Sequence, residues 1–179
     1  MNVDGYKYAA CYCEENIWHL CQEKDFHDYG RKVVLISNPR RSCALWEQNV
    51  QHAEGEPVIW DYHVIMLFFH DEWEVYDLDT VLETPTPFAQ YIRSTFGQPP
   101  FAPAEFLPLF RVIDAGEFVS IFSSDRSHML TPDGHWQMEP PPWPAIVRNG
   151  KSNLMDLIDM EKPSPGMVMT LSLFSACFS

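Results

Sequence analysis

The chain is poor in positive charge: 12 Lys and Arg stand against 25 Asp and Glu over 179 residues, a formal net charge of −13. A nucleic-acid backbone is met by clustered cations, and the Arg40-Arg41 pair is too small a cluster, so no nucleic-acid partner is expected. Long apolar runs are also missing. The longest, Val64 to Phe69, is six residues, whereas a bilayer span needs about 20, so no membrane partner is expected. The first twenty residues interleave Asp, Glu, Lys and His with apolar residues and lack the uninterrupted core of a secretion signal. Cysteines occur in odd number and without paired C-x2-C modules: Cys11, Cys13, Cys21, Cys43 and Cys177. That pattern reads as reduced thiols in the cytoplasm, and also the nucleus, and gives no zinc site. What the chain has in quantity is apolar material, 46% hydrophobic and 14% aromatic. One core-bearing domain spanning 1–179 is the expectation, and a monomer.

The periodicities predict an α+β fold. Ile17, Leu20, Cys21 and Lys24 share one helical face, with acid in the first turn and Lys in the last, so a helix starts at or just after Cys13. Val33 to Ser37 reads as a strand ending in the Asn38-Pro39 turn. Val58 to Phe69 carries β-branched and aromatic residues on both faces, as a strand buried in a sheet does. Trp73 to Thr80 reads as the returning arm of a hairpin. Further on, a short helix over Phe88 to Phe96 is closed by Gly97, and Phe106 to Ile113 reads as an edge strand because of Pro108. Thr131 to Gly134 forms a turn. A helix runs from a cap at Ser152 or Asn153 to Met160, and Met167 to Phe178 supplies a last apolar element.

The hairpin brings chemistry with it. With the turn centred on His70, paired positions place His63 opposite Asp77, Leu67 opposite Trp73 and Ile65 opposite Val75. Directly opposed Cβ atoms lie about 4.5–5.5 Å apart, within reach of a carboxylate–imidazole bond. Asp61 and Asp79 share that face and remain alternative partners. A histidine held by a carboxylate is half of a nucleophilic device, and Cys13 at a helix N-terminus is the candidate thiol. There, unpaired backbone N–H groups favour a thiolate and can hold an oxyanion, while Glu14 and Glu15 oppose ionisation. Cys21, Cys43 and Cys177 read as buried and inert, and Cys11 as buried backing.

These residues sit in ordered blocks: Cys11-Tyr12-Cys13-Glu14-Glu15-Asn16-Ile17-Trp18, Trp60-Asp61-Tyr62-His63-Val64, Tyr76-Asp77-Leu78-Asp79-Thr80, Ser124-Asp125-Arg126-Ser127-His128-Met129 and Pro140-Pro141-Pro142-Trp143-Pro144. Together they resemble the protein N-terminal glutamine amidohydrolases, named for their WDYHV motif. The resemblance implies deamidation of a protein or peptide N-terminal glutamine to glutamate with release of ammonia, a step towards N-degron proteolysis. It implies a Cys13-His63-Asp77 triad, no cofactor, and an arrangement similar to papain-like and transglutaminase cysteine enzymes, with the cysteine-bearing helix packed on an antiparallel sheet. Such an enzyme must sense a free α-ammonium. Candidates are Glu14, Glu15, Asp61 and Asp125, with Trp60 and Tyr62 as walls and Ser124 in the adjoining polar loop.

Other readings remain open at this level. A cysteine protease or transglutaminase-like acyl transferase would use the same dyad. A non-enzymatic interaction module would use the proline cluster, which otherwise reads as a stiff surface strap with its Trp tucked inward. His128 and His135 read as polar surface.

Overall fold

Strand β1 (Gly30–Ser37) runs through the middle of the main sheet, and its alternation explains why both faces are covered. Val33 and Leu35 enter one core and Val34 and Ile36 the other, all fully buried. The computed structural model describes residues 5–50, 55–97 and 102–179. In chain order, β2 (Cys43–Leu45) and β3 (Val58–Trp60) pair as a separate two-stranded sheet. The main sheet continues with β4 (His63–Phe69), β5 (Trp73–Tyr76), β6 (Thr86–Pro87), β7 (Leu109–Asp114) and β8 (Met167–Thr170). Its order is β6-β5-β4-β1-β7-β8, and every neighbouring pair is antiparallel.

Helices cover the two faces. Helices α1 (Cys13–Leu20), α3 (Ala115–Ile121) and α4 (Leu154–Leu157) contribute Ile17, Leu20, Phe118, Leu154 and Leu157 to one core. Helices α2 (Phe88–Phe96) and α5 (Leu171–Phe178) bring Phe88, Tyr91, Phe96, Phe174 and Phe178 to the other. The result is an α+β domain built on an antiparallel sheet. No described helix is long and apolar enough to cross a membrane.

Several expectations change in position. The predicted strand over 58–69 breaks at Asp61-Tyr62, because the Asp61 side chain accepts from the Tyr62 N–H at 2.9 Å and Ser37 Oγ donates to the Asp61 carbonyl at 2.7 Å. The hairpin register is shifted by two residues: Leu67 lies opposite Val75, Met66 opposite Tyr76, and the loop is His70, Asp71 and Glu72. A shift of two keeps each side chain on its expected face, whereas a shift of one would have reversed them all. Strand β7 lies between β1 and β8 and not at an edge; Pro108 falls just ahead of it, where no ladder bond is required.

Helix α1 stops at Leu20, with Lys24 opening a separate short turn, Lys24–Phe26. The helix after Asn153 ends at Leu157, four residues in all, and the last apolar segment divides into β8 and α5 at Thr170, whose hydroxyl accepts from Leu173 N–H. Helix α3 was not foreseen. Its start is capped by Asp114, which accepts from Gly116 N–H at 3.0 Å. Helix α2 ending at Gly97 agrees with the sequence reading.

Candidate active site

Cys13 is the first residue of α1, which packs against β4. The loop before it is fixed from within the helix: Asn16, fully buried, donates to the Ala9 carbonyl and accepts from the Ala9 N–H, both at 2.9 Å. Between them Cys11 adopts a left-handed backbone, φ +64°, a strained conformation for a residue with a Cβ. The sulfur of Cys13 receives the backbone N–H of Val64, the residue after His63.

His63 opens β4 and is fully buried. Its Nε2 donates to Asp77 Oδ1 at 2.8 Å, while its Nδ1 has no partner. By the observed register, position 79 and not 77 would lie opposite His63. Asp77 reaches the ring because the chain leaves the ladder after Tyr76 and turns, with Asp79 N–H donating to Asp77 Oδ1 at 3.0 Å. The second oxygen of Asp77 is equally committed: it accepts from Gln48 Nε2 at 3.2 Å and from the Tyr91 hydroxyl of α2 at 2.8 Å. Gln48 in turn accepts from Trp60 Nε1 at 3.1 Å, and the Trp60 ring stacks on His63 with centroids 5.3 Å apart. Trp60 therefore steadies the imidazole twice.

Burial governs the ionisation of this cluster. It pushes the Cys13 thiol well up, and the charges of Glu14, Asp79 and Asp61 reinforce it against the Val64 N–H. Glu14 opposes ionisation of the thiol, as the sequence suggested. Burial would lower His63, but the Asp77 charge and hydrogen bond overcome it and hold the imidazole above its ordinary value. Burial would raise Asp77, and His63 with the Asp79 N–H and Gln48 holds it below the ordinary value instead.

A cavity of about 570 Å³ opens over the thiol. Cys11, Cys13, Trp60, Asp61, Tyr62 and His128 are among its lining residues. Tyr62 donates to Glu14 Oε2 at 3.0 Å and accepts from His128 Nε2 at 3.1 Å. Glu14 is buried beside the nucleophile, its Oε2 3.8 Å from the Cys13 sulfur, and burial pushes its carboxyl up to about 7.

The model of the N-terminal glutamine amidase family matches residues 8–178. The chain belongs to that family. It is 42% identical to the human protein N-terminal glutamine amidohydrolase, over 98% of this chain and 89% of that protein. It is 41% identical to the bovine one, over 95% and 84%, and 40% identical to the Drosophila melanogaster one, over 96% and 88%.

Within this N-terminal glutamine amidase chain, the structure divides the expected site residues. Trp60, Asp61 and Tyr62 line the cavity, and Glu14 stands behind Tyr62. Glu15 is occupied elsewhere: fully buried, it forms a two-point ion pair with Arg126 at 2.7 Å for each oxygen and accepts from Trp143 Nε1 at 2.7 Å. That bond ties the proline strap to α1. Ser124 is buried in the loop and accepts from Arg126 N–H, and exposed Asp125 accepts from both the N–H and hydroxyl of Ser127. Neither is among the cavity's lining residues.

His128, read from the sequence as surface, is instead part of the cavity wall, and Cys177, read as buried, is exposed. Cys11 lines the cavity as well. Gln48, Tyr91 and Asn16 escaped the sequence reading, since nothing in a lone Gln, Tyr or Asn marks a partner 29, 14 or 7 residues away. Among the described residues, one group of three could offer ligands to a metal: His63, Asp77 and Asp79, with atoms within 4.8 Å of one another. Both oxygens of Asp77 already accept two donors each, so the group suits proton transfer better than coordination.

Proposed function

We propose that the chain is a cysteine-dependent amidohydrolase that converts the N-terminal glutamine of proteins and peptides to glutamate and releases ammonia. The observation that carries this reading is the buried His63 ring, tied to Asp77 through Nε2 and left open at Nδ1, in the same site as a cavity-lining thiol at a helix start. The helix-borne cysteine against His63 at the start of β4 and Asp77 just past the end of β5 supports a papain- or transglutaminase-like arrangement in one catalytic domain.

In this account Nδ1 of His63 takes the proton of the Cys13 thiol as sulfur attacks the side-chain amide carbon. The raised thiol makes the transfer coincide with attack, so no free thiolate need persist in a buried, acidic setting. The tetrahedral oxygen is met by the Cys13 N–H, because Glu15 and Asn16 N–H donate to the Tyr12 carbonyl and Glu14 N–H turns to its own carboxylate. The proton on His63 passes to the amide nitrogen, the C–N bond breaks, and ammonia leaves a thioester. Water, deprotonated by His63, attacks the thioester and the C–S bond breaks, giving glutamate and the thiol. Asp77 keeps the Nε2–H tautomer and balances the imidazolium.

The α-ammonium meets Asp61, exposed at the cavity, with one oxygen engaged by the Tyr62 N–H and the other open to an amine, while Trp60 and Tyr62 form walls. The test is a Gln-leading peptide beside its N-acetylated copy. The free peptide is expected to gain about 1 Da and yield one ammonia, and the acetylated one to stay unchanged. Peptide fragments or amine-crosslinked products would point to a protease or acyl transferase instead.

A further inference from the structure

Five buried side-chain polar atoms among the described residues have no hydrogen-bond partner: Glu14 Oε1, His19 Nε2, His63 Nδ1, Asp79 Oδ2 and Thr95 Oγ1. His63 Nδ1 has a task in the proposed reaction. Asp79 Oδ2 has none so far, and leaving such an atom dry and unpaired is costly. Asp79 is 2% exposed, and its other oxygen is pinned by the Tyr8 hydroxyl at 2.6 Å.

Its position is informative. Asp79, His63 and Asp77 each present a ligand atom within 4.8 Å of the others. A nitrogen about 2.9 Å from each of two acceptors bridges a gap of that size. Asp77 has no room for it, as both its oxygens already accept two donors each. Asp79 has an open oxygen. Asp79 is not itself a lining residue of the cavity; what joins it to the reacting end is its closeness to His63, whose Nδ1 is the open base beside the thiol.

We propose that Asp79 Oδ2 accepts an N–H of the glutamine carboxamide, holding the leaving nitrogen beside His63, and that the same carboxylate repels the glutamate product. The inference rests on the deamidase reading above and names a residue that reads the side chain. A carboxamide brings two donors to an acceptor-only oxygen. The product carboxylate brings no donor and a like charge, so the contact that favours substrate disfavours product.

The experiment measures binding of Gln-leading and Glu-leading peptides to the inactive Cys13→Ala protein by calorimetry, with and without Asp79→Asn. The Cys13→Ala protein is expected to prefer the Gln-leading peptide. Adding Asp79→Asn should weaken that peptide about tenfold and tighten the Glu-leading one, moving the two in opposite directions. Tyr8→Phe, which leaves Oδ2 untouched, should keep the preference. A purely structural role would shift both peptides together or neither, and either result overturns the proposal.

A second measurement needs no variant. A Met-leading peptide, neutral and of similar length, should inhibit the wild-type enzyme more strongly than the Glu-leading peptide. Equal or stronger inhibition by the Glu-leading peptide overturns the proposal. Failure of the wild type to deamidate any Gln-leading peptide would remove the underlying reading, whereas turnover with unchanged discrimination removes this proposal alone.

Discussion

Glu14 follows the nucleophile directly, and burial pushes its carboxyl from 4.5 up to about 7. Folding therefore favours its protonated form: the stabilising contribution is complete below about pH 4.5 and is lost as pH rises through about 7. Glu14→Gln cannot ionise, so its melting temperature relative to the parent is expected to climb between about pH 5 and pH 8. A difference that stays flat with pH would contradict the buried, raised carboxyl. Asp77 carries the opposite prediction for activity. Asp77→Asn keeps the shape but loses the acceptor that fixes the His63 tautomer, and kcat is expected to fall by about 10⁴-fold. A kcat within tenfold of the parent would show that the imidazole needs no such partner.

Elements hold these residues in place through a few buried polar contacts. Arg126, in a left-handed conformation at φ +63°, reaches from its loop to Glu15 on α1 and to the Trp143 carbonyl. Arg126→Ala strands the Glu15 carboxylate in the interior and is expected to cost about 3–5 kcal/mol, read by denaturant unfolding. Arg111 on β7 acts similarly towards the loop after α4: its guanidinium donates to the carbonyls of Leu157, Asp159, Lys162, Ser164 and Pro165.

The same contacts explain what the sequence could tell. Helix α2, the strand centred on Val33 to Ser37 and the hairpin of β4 and β5 follow from local periodicity and turn chemistry and were legible, whereas Asp77 meets His63 from the turn after β5 and not from the paired position the sequence suggested. The two-residue hairpin shift was not legible, because periodicity of two is blind to a slip of two. The break at Asp61-Tyr62 depends on Ser37, 24 residues away. The work of Glu15 depends on Arg126 and Trp143, more than 100 residues away. A carboxylate at a helix start looks equally suited to substrate or to a buried ion pair until the fold supplies its partner.

At the scale of the whole molecule, the sheet separates two apolar cores and the site forms at one end of it. There β4 begins, β5 turns away, and α1 starts. The chain as a whole carries a net charge of −13, which favours arrival of a cationic peptide N-terminus. Raising ionic strength from about 0.05 to 0.5 M is therefore expected to lower kcat/KM for a short Gln-leading peptide several-fold while leaving kcat steady. A salt-independent kcat/KM would assign the recognition to short-range contacts alone. The central claim is covalent chemistry at Cys13, and intact-protein mass spectrometry of acid-quenched turnover tests it most directly. The account predicts a transient adduct equal to the peptide less about 17 Da, mapped to Cys13 and missing in Cys13→Ala. An adduct on another cysteine, or undiminished turnover by Cys13→Ala, would contradict it.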